Sequence, residues 1–270
     1  MIELAPLHKT GLALASPVMP AAGCFGFGGE YARLVETATL GAVVVGPLTA
    51  GPRQGAEPPR LLPFPGGVLV HTGLANPGVA AVVRRYARTW ARSPVPVIAH
   101  VAGVSPHEVE SCCRRLSGVE AVAGIELGLP DTADPGEAEA IIRAARAATV
   151  QPLIVRLPLA TSADLCQLAA EAGADALTIA APPRGTVWCE TCRRFISGRL
   201  YGPFVLPLAL HALRRVAELV SLPFIGCGGI HSLEDARAFL RAGAVAVQID
   251  AALWRDPACL ASIARGLAAS

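Results

Sequence analysis

Short apolar runs alternate with amphipathic segments along the whole chain, and this alternation limits the fold more than any other feature. The apolar runs have the length of strands buried on both faces, and the amphipathic segments repeat apolar residues at helical spacing. Strands and helices in alternation form βαβ units with right-handed crossovers. The predicted strands are residues 18–21, 42–45, 95–101, 123–127, 152–157, 176–179, 223–225 and 244–249, and the predicted helices are residues 77–91, 106–116, 135–147, 161–172 and 206–220.

Eight strands are the number that closes a β/α barrel, and 270 residues are the length of one such domain. We therefore predict a single (β/α)8 barrel, a TIM barrel in the α/β class, over residues 1–270. A doubly wound open sheet is the alternative. Two stretches, residues 46–76 and 182–203, break the alternation and are predicted to be loops at the C-terminal mouth of the barrel, where barrel enzymes carry their sites.

Charge and composition exclude several classes of function. A net charge of +2 with scattered arginines does not form a nucleic-acid surface, and no apolar run reaches the ~18 residues of a membrane span. The eight cysteines lack the spacing of a disulfide framework, and the N-terminus, with Glu3, does not resemble a signal peptide. We therefore expect a cytoplasmic protein that binds a small-molecule ligand and acts as a homo-oligomer or with a partner subunit.

Residues 223–250 contain a glycine turn between a strand and a helix. Gly226, Gly228 and Gly229 let main-chain N–H groups approach an anion, and Ser232 is a suitable N-cap for the helix that follows. A phosphate held between this turn and the end of the next strand is a common barrel arrangement. The alternative is that the glycines only make a tight turn.

Six short segments spread along the chain match the motifs of one enzyme family. They are SPVMPAAGCFGFGGEYA at residues 16–32, GLANPGV at 73–79, VIAHVAG at 97–103, LYGP at 200–203, FIGCGGI at 224–230 and AGAVAVQI at 242–249. Together they resemble the dihydroorotate dehydrogenase family, in particular its class 1 flavoproteins, over nearly the whole chain.

The resemblance implies a β/α barrel oxidoreductase of pyrimidine biosynthesis that binds FMN at the C-terminal strand ends and oxidises dihydroorotate to orotate. In that reaction a base removes a proton from the substrate while a hydride passes to the flavin. By the same resemblance, the FMN-binding residues are Ala22, Gly23, Arg156, Gly202, Gly228 and Gly229, and the substrate loop contains Gly73, Leu74 and Asn76.

Several positions depart from the pattern of this family. Its catalytic cysteine follows the fourth strand, where residues 128–131 of this chain read GLPD, and Asn76 is the only asparagine available. Its substrate-binding lysine and asparagines fall at Gly46, Val70, Ala181 and Pro182. A polar substrate ring without these partners loses ~1–3 kcal/mol per contact. We therefore expect a divergent member in which the oxidation of dihydroorotate itself is lost or altered.

Two charged residues bear on FMN itself. Arg156 stands where the family has a lysine close to the flavin, and it either keeps the positive charge there or pairs with Glu126 inside the barrel. Asp250 and Ala251 stand where the family has a glycine and a threonine that contact the phosphate. A carboxylate there repels phosphate unless it turns away or is protonated. FMN is therefore the implied cofactor, with a phosphate site weakened by Asp250.

Two histidines and two cysteines could carry other chemistry. His71 and His100 can act as acid or base near neutral pH, and His100, at the end of a predicted strand, faces the mouth. The alternative for His100 is a satisfied structural hydrogen bond. Cys189 and Cys192 form a CxxC motif, which is half of a zinc site, a redox pair or a surface turn without function, and no complete metal site is predicted.

These observations leave three hypotheses for the function. The first is a dihydroorotate dehydrogenase-like FMN oxidoreductase, in which His100 and Arg156 are the candidate catalytic residues. The second is a non-catalytic barrel that serves as a binding or structural subunit. The third is an FMN oxidoreductase with a different substrate, which uses His100 or the CxxC pair.

Overall fold

Eight parallel strands form a curled sheet in the structure, a computed structural model that describes residues 1–31, 33–103 and 105–269. Ala32, the last residue of the N-terminal motif, lies outside this part. In chain order the strands are β1 (Ile2–Glu3), β2 (Ala13–Leu14), β3 (Val18–Pro20), β4 (Val43–Leu48), β5 (Leu61–Phe64), β6 (Gly67–Val70), β7 (Val97–Ala102), β8 (Gly124–Gly128), β9 (Leu153–Leu157), β10 (Ala176–Ile179), β11 (Arg184–Cys189), β12 (Arg194–Tyr201), β13 (Phe224–Cys227) and β14 (Ala246–Ile249). The curled sheet has the order β3-β14-β13-β10-β9-β8-β7-β4.

The two edge strands of this sheet, β3 and β4, are joined by main-chain hydrogen bonds that nearly close a barrel. Gly41, just before β4, donates to the oxygen of Val18 at 2.9 Å, and Gly23, just after β3, donates to the oxygen of Gly46 at 3.1 Å. In an open sheet these two edges would lie far apart. The predicted (β/α)8 barrel is therefore confirmed, and the doubly wound alternative is wrong.

Helices cover the outside of the barrel and begin where the sequence offers capping residues. Ser105, Asp134, Ser162 and Ser232 each accept a hydrogen bond from a main-chain N–H of the first helical turn. The N-cap predicted at Ser232 is confirmed. The helices are α1 (Val79–Trp90), α2 (Pro106–Ser117), α3 (Pro135–Ala148), α4 (Ala163–Glu171), α5 (Val205–Val216), α6 (Leu233–Arg241), α7 (Ala252–Arg255) and α8 (Cys259–Ala268). Within the described residues, every helix is too short or too polar to cross a bilayer.

The N-terminal hairpin of β1 and β2 closes the end of the barrel where the strands begin. Leu4, Leu12 and Leu14 are buried there against Met19 and Ile98 inside the barrel. The C-terminal end of the strands is therefore the open end.

Four strands form an antiparallel sheet at this open end, in the two stretches that were predicted to be loops. β5 and β6 form one hairpin, β11 and β12 form another, and β12 pairs with β6. We name this four-stranded unit the mouth sheet. The prediction of loops was wrong because the turn at Pro65 and Gly66 separates two apolar runs, which is a hairpin signal. The mouth sheet has a small core of its own, formed by Leu62, Leu69, Cys189 and Ile196.

Candidate functional site

A cavity of about 850 Å³ lies between the C-terminal ends of the barrel strands and the mouth sheet. The barrel provides its floor and the mouth sheet provides its roof, so the two parts of the fold enclose it together. Active sites of β/α barrels lie at this end of the strands. Residues of the floor include Ala22, Gly23, Gly46, His100 and Arg156, and residues of the roof include Leu61, Val68, Val70, Arg199 and Tyr201.

Three arginines and one aspartate give the roof side of the cavity a net positive charge. Arg60, Arg184 and Arg199 line the cavity together with Asp131. Arg199 donates from Nη1 to Oδ1 of Asp131 at 2.8 Å and to the main-chain oxygen of Pro182 at 2.8 Å. Nη1 of Arg184 is 3.9 Å from Oδ2 of Asp131. Because one carboxylate does not balance three guanidinium groups, this side of the cavity attracts anions.

On the floor, His100 is held by a buried carboxylate of the neighbouring strand. His100 in β7 is the register partner of Glu126 in β8, and its Nδ1 lies 2.7 Å from Oε1 of Glu126. Since an ionised carboxylate can only accept, Nδ1 carries a hydrogen, and in the neutral imidazole Nε2 is then the nitrogen with the lone pair. The His100 side chain is 12% exposed and lines the cavity. His100 therefore has the satisfied hydrogen bond and also faces the mouth, whereas its role as an acid or base remains a prediction.

Glu126 is ionised despite its complete burial, because polar side chains surround it. Thr178 donates from Oγ1 to Oε2 at 3.0 Å, Gln248 donates from Nε2 to the same oxygen at 2.6 Å, and Nη1 of Arg156 is 3.8 Å from Oε1. Burial alone would raise the pKa of Glu126, but the hydrogen bond to His100 and the charge of Arg156 outweigh it and lower the pKa to about 2. The predicted pairing of Arg156 with Glu126 is therefore present.

Arg156 also presents an unused hydrogen-bond donor at the floor. Its side chain is 5% exposed, it lines the cavity, and its Nη2 donates to Sγ of Cys227 at 3.0 Å. Its Nε is buried and finds no hydrogen-bond partner within the described residues. Because a buried donor without a partner is unfavourable, the floor suits a ligand that brings an acceptor.

Ala22 and Gly23 leave free space on the same floor. Both line the cavity, and a Cβ atom placed on Gly23 would meet nothing within 4 Å. A flat ligand can therefore approach the main chain here.

The predicted substrate loop contributes to the cavity only in part. Leu74 lines the cavity, whereas the side chain of Asn76 is buried and holds the loop itself. Asn76 donates from Nδ2 to Thr49 Oγ1 and to the Leu74 oxygen, both at 2.8 Å, and its Oδ1 accepts from Gly78 N at 2.9 Å. The ligand-binding role of Asn76, like that of Gly73, remains a prediction.

The CxxC motif lies at the tip of the β11–β12 hairpin, outside the residues that line the cavity. Cys192 N–H donates to Sγ of Cys189 at 3.4 Å, and hydrogen bonds from Cys192 and Thr191 lower the pKa of Cys189. No group of three or more His, Cys, Asp or Glu side chains suited to a metal occurs in the described part of the chain. His71 likewise does not line the cavity in the described structure.

Comparison with known proteins identifies the family to which this architecture belongs. A family model described as dihydroorotate dehydrogenase matches residues 7–270, which is almost the whole chain. The chain belongs to the dihydroorotate dehydrogenase family. The resemblance that the six motifs indicated is therefore confirmed.

Individual members of the dihydroorotate dehydrogenase family are similar to the chain over most of its length. The catalytic subunit of dihydroorotate dehydrogenase B (NAD(+)) from Desulforudis audaxviator is 38% identical, over 95% of this chain and 89% of the relative. The proteins of the same name from Pelobacter propionicus and Trichlorobacter lovleyi are 37% and 36% identical, over 97% and 95% of this chain and 91% and 90% of the relatives.

The residues of this chain fit one part of FMN, the cofactor implied by the family resemblance, and not the other. The open floor at Gly23 and the free Nε–H of Arg156 suit the flavin ring. The predicted phosphate ligands Gly228 and Gly229, and also Gly202, lie outside the cavity lining that the structure describes. Asp250 is turned towards this glycine loop and accepts a hydrogen bond from it. We therefore derive no chemistry from a bound FMN phosphate.

Sequence reasoning missed three contributors to this site. It did not predict that Glu126 holds His100, that Asp131 pairs with Arg199, or that Tyr201 and Trp254 form one wall of the cavity. Tyr201 lies within the LYGP motif, which indicated its position near the site but not its contact with Trp254. The other contacts depend on which strands become neighbours.

Proposed function

We propose that this protein is a dihydroorotate dehydrogenase-like oxidoreductase that acts on a small carboxylate, with His100 in place of the family's cysteine as the base. The observation that carries this proposal is the pair of His100 and Glu126, whose Nδ1 and Oε1 atoms are 2.7 Å apart at the floor of the cavity. Of the floor residues named above, Ala22, Gly23, Gly46 and Arg156 have no side chain that accepts a proton, and His100 has one.

The geometry of the pair determines what His100 can do. Glu126 orients the imidazole and stabilises the imidazolium that forms when Nε2 accepts a proton, as the buried carboxylate does in other carboxylate–histidine pairs. Thr178 and Gln248 keep Glu126 in place from the opposite side. The base is therefore positioned before the substrate binds.

The positive side of the cavity supports a carboxylate substrate. Arg60 and Arg184 are exposed and line the cavity, and Arg199 is half-buried between Asp131 and Pro182. Guanidinium groups bind carboxylates through paired hydrogen bonds. The acidic hydrogen of the substrate would then lie between these arginines and His100. A flavin ring over Gly23 and Arg156, when bound, supplies the electron acceptor.

Proton transfer by His100 can be tested without any cofactor. Dihydroorotate and a panel of carboxylates with an acidic C–H beside a carbonyl are incubated with the protein in D₂O, and deuterium incorporation is followed by NMR. We expect exchange above the buffer rate for at least one of them, and a decrease of about 100-fold in His100→Asn, because general-base catalysis contributes ~10²–10⁴-fold.

A variant of a second histidine is the matched control in this experiment. His71→Asn changes a histidine that does not line the cavity in the described structure, and we expect its exchange rate to equal that of the wild type. Equal exchange rates in the wild type and His100→Asn, or no exchange with any of the compounds, would contradict the proposal.

A second candidate function is that of a binding barrel without catalysis. The glycine loop supports it, because Gly228 and Gly229 lie outside the cavity lining and Gly229 N–H is bound to Asp250. In that case ligands of the cavity bind but neither exchange protons nor become oxidised. The names of the relatives describe catalytic subunits, which supports a further proposal that this chain works beside another subunit. Mass measurement of the purified protein alone and after co-expression with its genomic neighbours tests that proposal.

A further inference from the structure

The glycine loop between β13 and α6 packs against α5 and leaves no space for side chains at Gly228 and Gly229. A Cβ atom on Gly228 would lie 3.1 Å from both Ala209 Cβ and Val205 Cγ1, and one on Gly229 would lie 2.4 Å from Leu206 N. The glycines are thus required where the loop meets the start of α5. Their presence in the sequence is explained without any phosphate.

A carboxyl group of the chain itself occupies this loop. Asp250 follows β14, is 1% exposed, and accepts hydrogen bonds from Ala251 N at 2.7 Å through Oδ1 and from Gly229 N at 3.4 Å through Oδ2. One further N–H of the loop, that of His231, donates to Oδ2 of Asp235 at 2.9 Å. Three N–H groups at this site, those of Gly229, His231 and Ala251, are therefore already bound to carboxyl groups and less available to a phosphate.

Two aromatic rings line the cavity close in the chain to residues at this loop. Tyr201, which precedes Gly202, and Trp254, which follows Asp250 by four residues, contact each other edge to face, with ring centroids 5.0 Å apart and planes at 61°. A phosphate tail that reached the loop would approach the carboxyl group of Asp250. That approach is unfavourable, because like charges repel strongly where water is excluded.

We propose that the cavity binds a flavin without a terminal phosphate, riboflavin rather than FMN, and that the carboxyl group of Asp250 occupies the former phosphate site. This inference rests on the proposed function, in which a flavin ring lies on the floor. The free Nε–H of Arg156 and the open space at Gly23 hold the ring, and the Tyr201–Trp254 wall meets an uncharged tail.

Riboflavin and FMN form a matched pair of probes, because they differ only in the phosphate. The purified protein is freed of bound small molecules and titrated with each flavin, and quenching of flavin fluorescence gives the two dissociation constants. We expect riboflavin to bind about tenfold or more tightly than FMN, because the phosphate would be buried beside a carboxylate. Tighter binding of FMN would overturn the inference, and so would the failure of both flavins to bind.

Removal of the charge of Asp250 gives an independent measurement. In Asp250→Asn we expect the affinity for FMN to rise at least about fivefold relative to that for riboflavin, since the side chain keeps its shape and loses its charge. Asp164→Asn, which removes one negative charge from the exposed start of α4, should leave the ratio of the two affinities unchanged. An unchanged ratio in Asp250→Asn would also overturn the inference.

The flavin titration and the proton-exchange experiment can fail independently of each other. Proton exchange at His100 requires no flavin, so a protein that exchanges protons but binds FMN better than riboflavin keeps its proposed function and loses this inference. A protein that binds riboflavin and does not exchange protons has the opposite result.

Discussion

Two carboxyl groups, those of Glu126 and Asp250, are buried at the open end of the barrel. Their surroundings differ, and the difference indicates the role of each. Glu126 is surrounded by His100, Arg156, Thr178 and Gln248. Burial raises its pKa, but His100, Arg156 and Gln248 outweigh this and lower it to about 2. Burial raises the pKa of Asp250 above its ordinary value, and two main-chain N–H groups with the more distant charges of Arg156 and His231 offset this only in part. The protein therefore stabilises a negative charge beneath the cavity floor and tolerates one at the glycine loop.

The difference shows that a buried acid cannot be interpreted from its burial alone. The ionised Glu126 is useful, because it fixes the tautomer of a histidine that faces the cavity. The carboxyl group of Asp250 instead occupies N–H groups that would otherwise attract an anionic ligand. The carboxylate of Glu126 therefore positions a residue of the cavity, whereas that of Asp250 occupies the N–H groups of an anion site.

The largest expected effect comes from neutralising Glu126. Glu126→Gln leaves the guanidinium of Arg156 buried without a counter-charge, and we expect a loss of ~3–5 kcal/mol in the free energy of unfolding. Urea denaturation at pH 7 measures it. The control is Glu110→Gln in the exposed pair with Arg114, which should change the stability by less than ~1 kcal/mol. Similar losses in both variants would show that Glu126 is not the centre of a buried network.

The next largest expected effect is a difference in stability between two glycine-to-alanine variants, one in the glycine loop and one in the cavity floor. The two glycines have similar backbone conformations. Gly229 has φ +70° and Gly23 has φ +82°, but only at Gly229 would a Cβ meet the main chain, at 2.4 Å from Leu206 N. Both alanine variants lose ~1–2 kcal/mol from the positive φ. Gly229→Ala should lose a further ~1–3 kcal/mol from overpacking.

Thermal and urea unfolding of the two variants measure this difference directly. Equal losses would mean that the glycine loop has room for a side chain, and hence for a ligand. In that case the loop would resemble the floor, and the contrast between an open and a closed part of the site would fail.

The barrel itself was predictable from the sequence because its signals are local. A pattern of a few consecutive residues predicts each buried strand and each amphipathic helix. Capping residues such as Ser232 predict where helices begin. The mouth sheet was not predicted, because its central pairing joins Arg199 to Val70, which are far apart in the chain. Such pairing leaves no local trace.

The candidate site was predictable only as far as single positions allow. The strand end at His100 indicated a group that faces the mouth, but its bond to Glu126 depends on the register between β7 and β8. For Asp250 the sequence left open whether the carboxylate turns away from the glycine loop. The structure shows it turned towards the loop, and side-chain orientation of this kind follows from packing rather than from residue identity.

The smallest expected effect concerns the pH dependence of stability. As the pH rises, the contributions of the two carboxylates to the stability of the protein change in opposite directions. Because the folded pKa of Glu126 lies below the ordinary value of 4.5, its ionisation stabilises the protein above that pH, and this contribution is lost as the pH falls towards 2. The folded pKa of Asp250 lies above its ordinary value of 3.8, so its contribution to stability declines as the pH rises from there to the folded pKa.

Urea denaturation of the wild type, Glu126→Gln and Asp250→Asn between about pH 3 and pH 8 resolves these two trends, since each proton bound differently changes the stability by at most ~1.4 kcal/mol per pH unit. We expect the advantage of the wild type over Glu126→Gln to grow as the pH rises from 3 to 4.5 and then to level off. Relative to Asp250→Asn, the wild type should instead become less stable as the pH rises above 4. If both differences changed in the same direction, Asp250 would have a counter-charge as effective as that of Glu126, and the glycine loop would be a second prepared site rather than a closed one.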